Sequence, residues 1–331
     1  MAKQSVLPRW RGFNLLGAFV MSSPGRFEEE DFQIVSDLGF DFVRLPLNYM
    51  FWINHNDPFD INEEKISCVD QAVRWGEKYG VHVNVAFHRG PGYSVAGDRV
   101  EPFDLWRDKE ALDAFKLHWA TFAKRYKGYD NKKVSFDLLN EPADVSPERH
   151  AHVMRAAVKA IHEQDPERLI VLDGLRYGNI PLADLGDLAA DHVAQSCRAY
   201  IPHGVTHYKA EWVRGSKTFP EPAWPGGYEG DVLWDREALE KHYGGWAAMA
   251  ENYGFGVHCG EGGCHNRTPH DVVLKWLDDV LDILKGYNIG YALWNLEGSF
   301  GILDSGRDDV DYEDYRGHKL DRQMLNVLLK Y

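Results

Sequence analysis

The feature that most constrains this chain is a regular alternation of short apolar runs with longer amphipathic stretches, repeated eight times along 331 residues. The short runs read as strands: Gly12 to Leu16, Phe40 to Leu45, Val81 to Phe87, Val134 to Leu139, Leu169 to Leu172, His192 to Tyr200, Gly254 to Gly260 and Ile289 to Trp294. Between and after them, apolar spacing predicts helices over Glu28 to Leu38, Asn62 to Tyr79, Asp108 to Tyr126, Ser146 to Glu163, Asp235 to Asn252, Pro269 to Lys285 and His318 to Leu329, with a weaker one at Leu182 to Leu188. Ser146, Pro147 and Glu148 give a helix-start signal. Eight such units favour an α/β fold closed as a single (β/α)8 TIM barrel spanning 1–331, rather than an open doubly wound sheet. No low-complexity linker interrupts the pattern. A long segment, about Ile201 to Leu233, follows the sixth strand and is expected to lie over the active-site face.

Charge and composition narrow the partners. A formal net charge of −14 argues against nucleic acid and against an anionic membrane surface. No run of about 18 apolar residues predicts a transmembrane helix. Met1 to Trp10 has no apolar signal core, so the expected compartment is cytoplasmic, or secreted if a signal peptide has been removed. The four cysteines do not make a disulfide framework in a chain this long and read as buried thiols. No cofactor, metal or protein partner is implied; Gly-x-Gly-x-x-Gly and Walker patterns are missing.

The chemistry concentrates where strands end. Val134-Ser135-Phe136-Asp137-Leu138-Leu139-Asn140-Glu141-Pro142 reads as a buried strand halted by a proline, which cannot donate to a ladder. Asn140 and Glu141 thus fall at a strand's C-terminal end, the active face of a parallel barrel. Glu261 sits in an equivalent place after Gly254 to Gly260. Two carboxylates at separate strand ends are what glycosidic bond cleavage requires. Arg44, among apolar strand residues, is costly unless paired and is a candidate partner for a carboxylate.

Asn140-Glu141-Pro142, Glu261 after a glycine, and Trp294 near the C-terminus resemble glycoside hydrolase family 5, one of a clan of (β/α)8 retaining glycosidases. The resemblance runs from Arg11-Gly12-Phe13-Asn14 to Gly301-Ile302. It implies Glu141 as acid/base and Glu261 as nucleophile, an order that spacing alone does not decide. It also implies substrate-binding roles for Arg44, His88, Asn140, Tyr200, His207 (in Thr206-His207) and Trp294. Asn140 is expected on the sugar 2-hydroxyl, Tyr200 on the nucleophile, and the Trp294 ring against the sugar face. One departure stands out: the family usually carries His-x-Tyr where this chain has Arg198-Ala199-Tyr200. Either Arg198 supplies a fixed charge there, or His203 or His207 substitutes.

The implied activity is retaining hydrolysis of a β-linked oligo- or polysaccharide, foremost an endo-β-1,4-glucanase. The alternative is an exo-acting β-glucosidase or β-mannosidase on short oligosaccharides. A catalytically silent sugar-binding barrel is disfavoured by the presence of both glutamates. Gly92-Tyr93-Ser94-Val95-Ala96 approaches a serine-esterase elbow but lacks the last glycine and a following helix. His258, Cys259, Cys264 and His265 are metal-ligand types without closed tetrahedral spacing. The run Asp308 to Asp314 reads as a solvated loop. Among tryptophans, Trp75, Trp119, Trp246 and Trp276 read as core, while Trp52, Trp106, Trp212, Trp224 and Trp234 fall in segments that can extend a cleft.

Overall fold

The structure is a computed structural model that describes residues 7–96, 101–229 and 231–331. Eight parallel strands close on themselves: β1 (Arg11–Asn14), β2 (Phe42–Asn48), β3 (His82–Gly90), β4 (Val134–Asp137), β5 (Ile170–Asp173), β6 (Val193–Ala199), β7 (Val257–Gly262) and β8 (Gly290–Leu293). They pair in sequence order around the barrel, and β1 closes it by pairing with β8. Helices α1 (Glu29–Asp37), α2 (Ser67–Tyr79), α3 (Lys109–Arg125), α4 (Pro147–His162), α5 (Arg236–Tyr253), α6 (His270–Gly286) and α7 (Arg322–Lys330) cover the outside. The α4 start falls as expected, with Ser146 Oγ accepting from the Arg149 N–H. Among the described residues, no helix is long and apolar enough to cross a membrane.

The main core lies between strands and helices, where Trp119, Trp246 and Trp276 are fully buried. A smaller cluster of Leu7, Trp10, Phe42, Leu169, Val171, Ala194 and Ala292 plugs the barrel floor. Above that floor the interior turns polar. Side chains alternate in and out along a strand, so the same strands that place Phe42 and Val171 low in the barrel place Arg44 and Asp173 two residues higher. Asn84, Ser135, Asp137 and Ser196 line the space between. The fold therefore carries its charged layer at the C-terminal mouth.

Several expectations need correction. The segment expected as a helix at Leu182 to Leu188 is a 3-10 helix, Ala183–Asp191. The second helix begins at Ser67 rather than Asn62, because Asn62 Oδ1 accepts from the Glu64 N–H in a turn. Residues before it form an antiparallel pair, Ile53–Asn54 with Asp57–Ile61. The second strand runs through Pro46 to Asn48. Residues 44 and 48 direct their backbone groups toward the β1 side, and β1 has ended by Asn14, so no ladder bond is lost at Pro46. The segment after β6 is ordered into a one-turn helix (His203–Thr206), a 3-10 turn (Ser216–Thr218) and a hairpin (Gly227–Glu229 with Val232–Trp234).

Candidate active site

Four carboxylates and two guanidinium groups meet at the barrel mouth. Arg44, on β2, is fully buried, and its donors fan out to the ends of three other strands, β1, β4 and β7. Nε reaches Asp137 Oδ2 at 2.8 Å, Nη1 reaches Glu261 Oε1 at 2.7 Å and Asn14 Oδ1 at 3.1 Å, and Nη2 reaches Asn140 Oδ1 at 2.9 Å. Burying this cation without such partners would be prohibitive. Arg198, on β6, is the second. Its Nη2 contacts Asn140 Oδ1 at 2.9 Å, lies 3.4 Å from Glu261 Oε1 and pairs with Asp173, while Nε lies 3.3 Å from Glu141 Oε1. One guanidinium thus reaches both strand-end glutamates.

The strand ends are bent to aim these groups. Glu261 faces Arg198 only because the β6–β7 register shifts between Cys259 and Glu261, and a bulge of this kind re-aims the side chain that follows it. A Cβ on the intervening Gly260 would sit 2.7 Å from Ser196 Oγ and 3.0 Å from Arg198 Nη1, so the position has no room for a larger residue. Glu141 has φ of 48°, in the left-handed region that non-glycine residues avoid. Its N–H donates to Asp173 Oδ2 at 2.8 Å, and its carbonyl accepts from Tyr93 Oη at 2.7 Å. Arg176 and Tyr177, at the end of β5, are also left-handed. Strain of this kind persists where surrounding contacts over-determine it.

Asn140 has its amide orientation dictated by charge. Both guanidinium groups require an acceptor, so its oxygen faces them and its Nδ2 is turned away, buried and without a partner among the described residues. Tyr200 Oη donates to Glu261 Oε2 at 3.3 Å. Burial first, and then the Glu261 charge, push the Tyr200 hydroxyl well above its ordinary pKa, so it remains a donor. Burial and the neighbouring Glu261 carboxylate push Glu141 up to about 8, against the opposing pull of Arg198. Burial and Asp173 likewise raise Asp137.

His88 and Trp294 form one wall with Phe19: ring centroids lie 5.5 Å apart for His88–Trp294 and 5.1 Å for Phe19–Trp294. His207 is brought beside Tyr200, with centroids 5.0 Å apart, and burial lowers its pKa to about 3. Its Nδ1 pairs with Thr206 Oγ1 at 2.9 Å. His203 is engaged with Glu229 at 2.8 Å. Of the alternatives left open at the Arg198 position, the fixed guanidinium is the one that touches both glutamates.

Other expectations resolve by geometry. Trp52 is core, 1% exposed, with Nε1 donating to His118 Nδ1 at 2.9 Å. Trp224 is also buried and donates to Asp279. Trp212 is 62% exposed and edges on His207, His265 and Phe300. Ser94 lies in an antiparallel pairing with Arg89, not in a strand-to-helix turn; residues 97–100 of that motif lie outside the described residues, as do residues 1–6 and Gly230. His258 sits at the barrel floor against the Trp10 carbonyl at 3.3 Å, and His265 Nδ1 lies 3.2 Å from the Tyr208 carbonyl. The four cysteines are free thiols, three of them buried. In the acidic run, Asp308 pairs with Arg267 and Asp309 accepts from the His270 N–H, which pins the loop. Among the described residues, Glu297, Asp304 and His318 come together on the surface, where His318 Nδ1 is already bound to Asp304 at 2.6 Å.

Asp137 and Asp173 were not singled out from sequence. The signal was present: each is a charged residue closing an otherwise apolar strand, the same anomaly that marks Arg44.

Two glutamates at separate strand ends of such a barrel, sharing one guanidinium, are the arrangement that glycosidic bond cleavage requires. The family described as cellulase (glycosyl hydrolase family 5) matches residues 2–299, and the chain belongs to that family. Endoglucanase C of Acetivibrio thermocellus is 28% identical over 307 residues, covering 86% of this chain and 88% of that protein. Cellodextrinase A of Ruminococcus flavefaciens is 28% identical over 271 residues, covering 79% and 76%. A crystal structure of a glycoside hydrolase superposes with a TM-score of 0.92 at 38% identity, covering 97% of this chain and 99% of that one. Thermotoga maritima Cel5A, solved with mannotriose, shares the fold with a TM-score of 0.78 at 22% identity over 98% of each chain.

Proposed function

We propose that this protein is an endo-β-1,4-glucanase that works by double displacement, with Glu261 as nucleophile and Glu141 as acid/base. The observation that carries the assignment is the asymmetry between the two glutamates. Arg44 grips Glu261 at 2.7 Å, whereas Glu141 is held more loosely and has a raised pKa. A cation at contact favours the ionised form, and burial beside a like charge favours the neutral one. The raised pKa of Glu141 thereby keeps it as the acid at neutral pH, while Arg44 stays in contact with Glu261.

In the first step Glu261 Oε2 attacks the anomeric carbon while Glu141 gives its proton to the glycosidic oxygen. The C–O bond breaks and the leaving sugar departs as an alcohol. In the second step Glu141, now ionised, takes a proton from water, which displaces Glu261 and restores the acid. Tyr200 releases its contact with Oε2 as that oxygen bonds to carbon. Asn140 Nδ2, the unpartnered donor, meets the sugar 2-hydroxyl. His88 and Trp294 hold the ring, and the long segment after β6 walls the cleft beyond Tyr200 with His207 and Trp212. The resemblance to endoglucanase C, over most of both chains, favours β-1,4-glucan as substrate.

The second reading, exo-acting hydrolysis of short oligosaccharides, is favoured by that same ordered segment and by the likeness to cellodextrinase A. The test is hydrolysis of soluble β-glucan, β-mannan, xyloglucan and short oligosaccharides with products resolved by size. Rapid viscosity loss on β-1,4-glucan with mixed oligomers supports the endo reading. Monosaccharide release at unchanged viscosity overturns it in favour of the exo reading.

A further inference from the structure

The double displacement outlined above needs neither Arg198 nor Asp173, yet the site is shaped around them from several sides. Arg198 is fully buried. A Cβ on Gly178 would lie 2.6 Å from Arg198 Cγ, and one on Gly260 would lie 3.0 Å from its Nη1, so the fold leaves two gaps that the side chain fills. Nη1 is fixed by Ser196 Oγ at 2.8 Å and the Cys197 carbonyl at 3.2 Å. Asp173 Oδ2 accepts twice, from Arg198 Nη2 and from the Glu141 backbone N–H.

We propose that Arg198 and Asp173 act as a pair of positioning residues that fix which oxygen of Glu141 carries the acidic proton. The proposal rests on Glu141 being the acid/base. A guanidinium is a donor at every working pH. Glu141 Oε1, 3.3 Å from Arg198 Nε, is therefore held as the acceptor, and the proton is left on Oε2. Asp173 holds the other end of the arrangement, since the same oxygen anchors both Arg198 and the strained Glu141 backbone. In the first step the Oε2–H bond breaks, its proton passes to the glycosidic oxygen, and the electron pair of the C–O bond leaves with the departing sugar. In the second step a water proton returns to Oε2.

The pair also balances charge. Facing Glu141 are Arg198 from β6, Asp173 from β5, Glu261 from β7 and Arg44 from β2. Asp137 from β4, Tyr200 and His150 from α4 stand behind them. Arg198 favours the ionised acid and Asp173 opposes it, so the two substitutions must act in opposite directions. A residue needed only for packing would not produce that signature.

The experiment is the pH profile of kcat/KM on an aryl β-cellobioside for the wild type, Arg198→Gln, Asp173→Asn, Arg198→Lys and the double variant. Arg198→Gln is expected to move the alkaline limb up by about one pH unit, and Asp173→Asn to move it down by about as much. The double variant returns the limb close to the wild-type position with a lower kcat. Arg198→Lys keeps the charge and hence the limb, but loses the fixed fork, and kcat falls about tenfold or more. Limbs that stay put, or shift the same way in both single variants, overturn the inference. The double variant and Arg198→Lys keep the test alive should a single variant fail to fold. A wild type without a bell-shaped profile, or full activity in Glu261→Gln, would instead sink the underlying assignment.

Discussion

Arg44 Nη1 lies 2.7 Å from Glu261 Oε1, with both side chains buried, on two strands that do not pair with each other. The contact crosses the barrel mouth, and it joins the substrate-facing carboxylate to the charged layer beneath it. Arg44 also carries Asp137, Asn14 and Asn140, so its removal would strand the buried Asp137 carboxylate and leave Glu261 with only Arg198 and Tyr200. Breaking a buried ion pair by deleting one partner costs about 3–5 kcal/mol. Arg44→Met is therefore expected to lower unfolding free energy by about that amount in a denaturant titration, and to abolish turnover. An unchanged midpoint would mean that the pair contributes little to the fold.

Substitution of the proposed acid should separate the two chemical steps. Glu141→Gln is expected to reduce cleavage of natural cello-oligosaccharides by about 10²–10⁴-fold, the usual worth of a positioned general acid. Aryl glycosides with good leaving groups need no protonation, so their first step should survive, and azide should accelerate the second. Stopped-flow measurement of aryl release checks this; equal losses on both substrate types would contradict the role.

The pH dependence follows from the raised pKa of Glu141. The acid works protonated, and burial beside Glu261 holds its proton until about pH 8. Activity on unactivated substrates should therefore persist through neutrality and fall as pH rises through about 8. In Glu261→Gln the like charge is removed, so the Glu141 pKa should drop, observable by carboxyl-region infrared or NMR titration.

Two tryptophans distinguish cleft from core. Trp212, largely exposed beside His207 and Phe300, should affect polymer binding without affecting folding. Trp212→Ala is expected to raise KM on soluble β-glucan about threefold to tenfold, the loss of one stacking contact, while leaving thermal unfolding unchanged. Trp52→Ala should cost about 3–5 kcal/mol of stability, as for other buried aromatic truncations. Differential scanning calorimetry with glucan kinetics on both variants checks the pair.

The sequence disclosed what depends on chain-local pattern. Element order was readable because strands here are short apolar runs and helices are amphipathic. Glu141 was readable because Pro142 ends its strand. Interior contacts were harder, because they depend on which strands face one another across the barrel. Asp173 takes its role only through space, where Oδ2 accepts from both Arg198 and the Glu141 N–H. Trp52 looked like a cleft residue because its segment follows β2, yet the pairing of Ile53–Asn54 with Asp57–Ile61 folds it back onto His118. The shift at Gly260 that turns Glu261 toward Arg198 has no marker in the sequence beyond a glycine.

The measurement that tests the central claim most directly is covalent trapping with 2-deoxy-2-fluoro-β-cellobiosyl fluoride, followed by peptide mass mapping. One stoichiometric glycosyl adduct is expected, on the peptide that contains Glu261 and on that side chain, with turnover restored as the adduct decays. Labelling of any other carboxylate, or hydrolysis of substrate with inversion and no adduct, would contradict it.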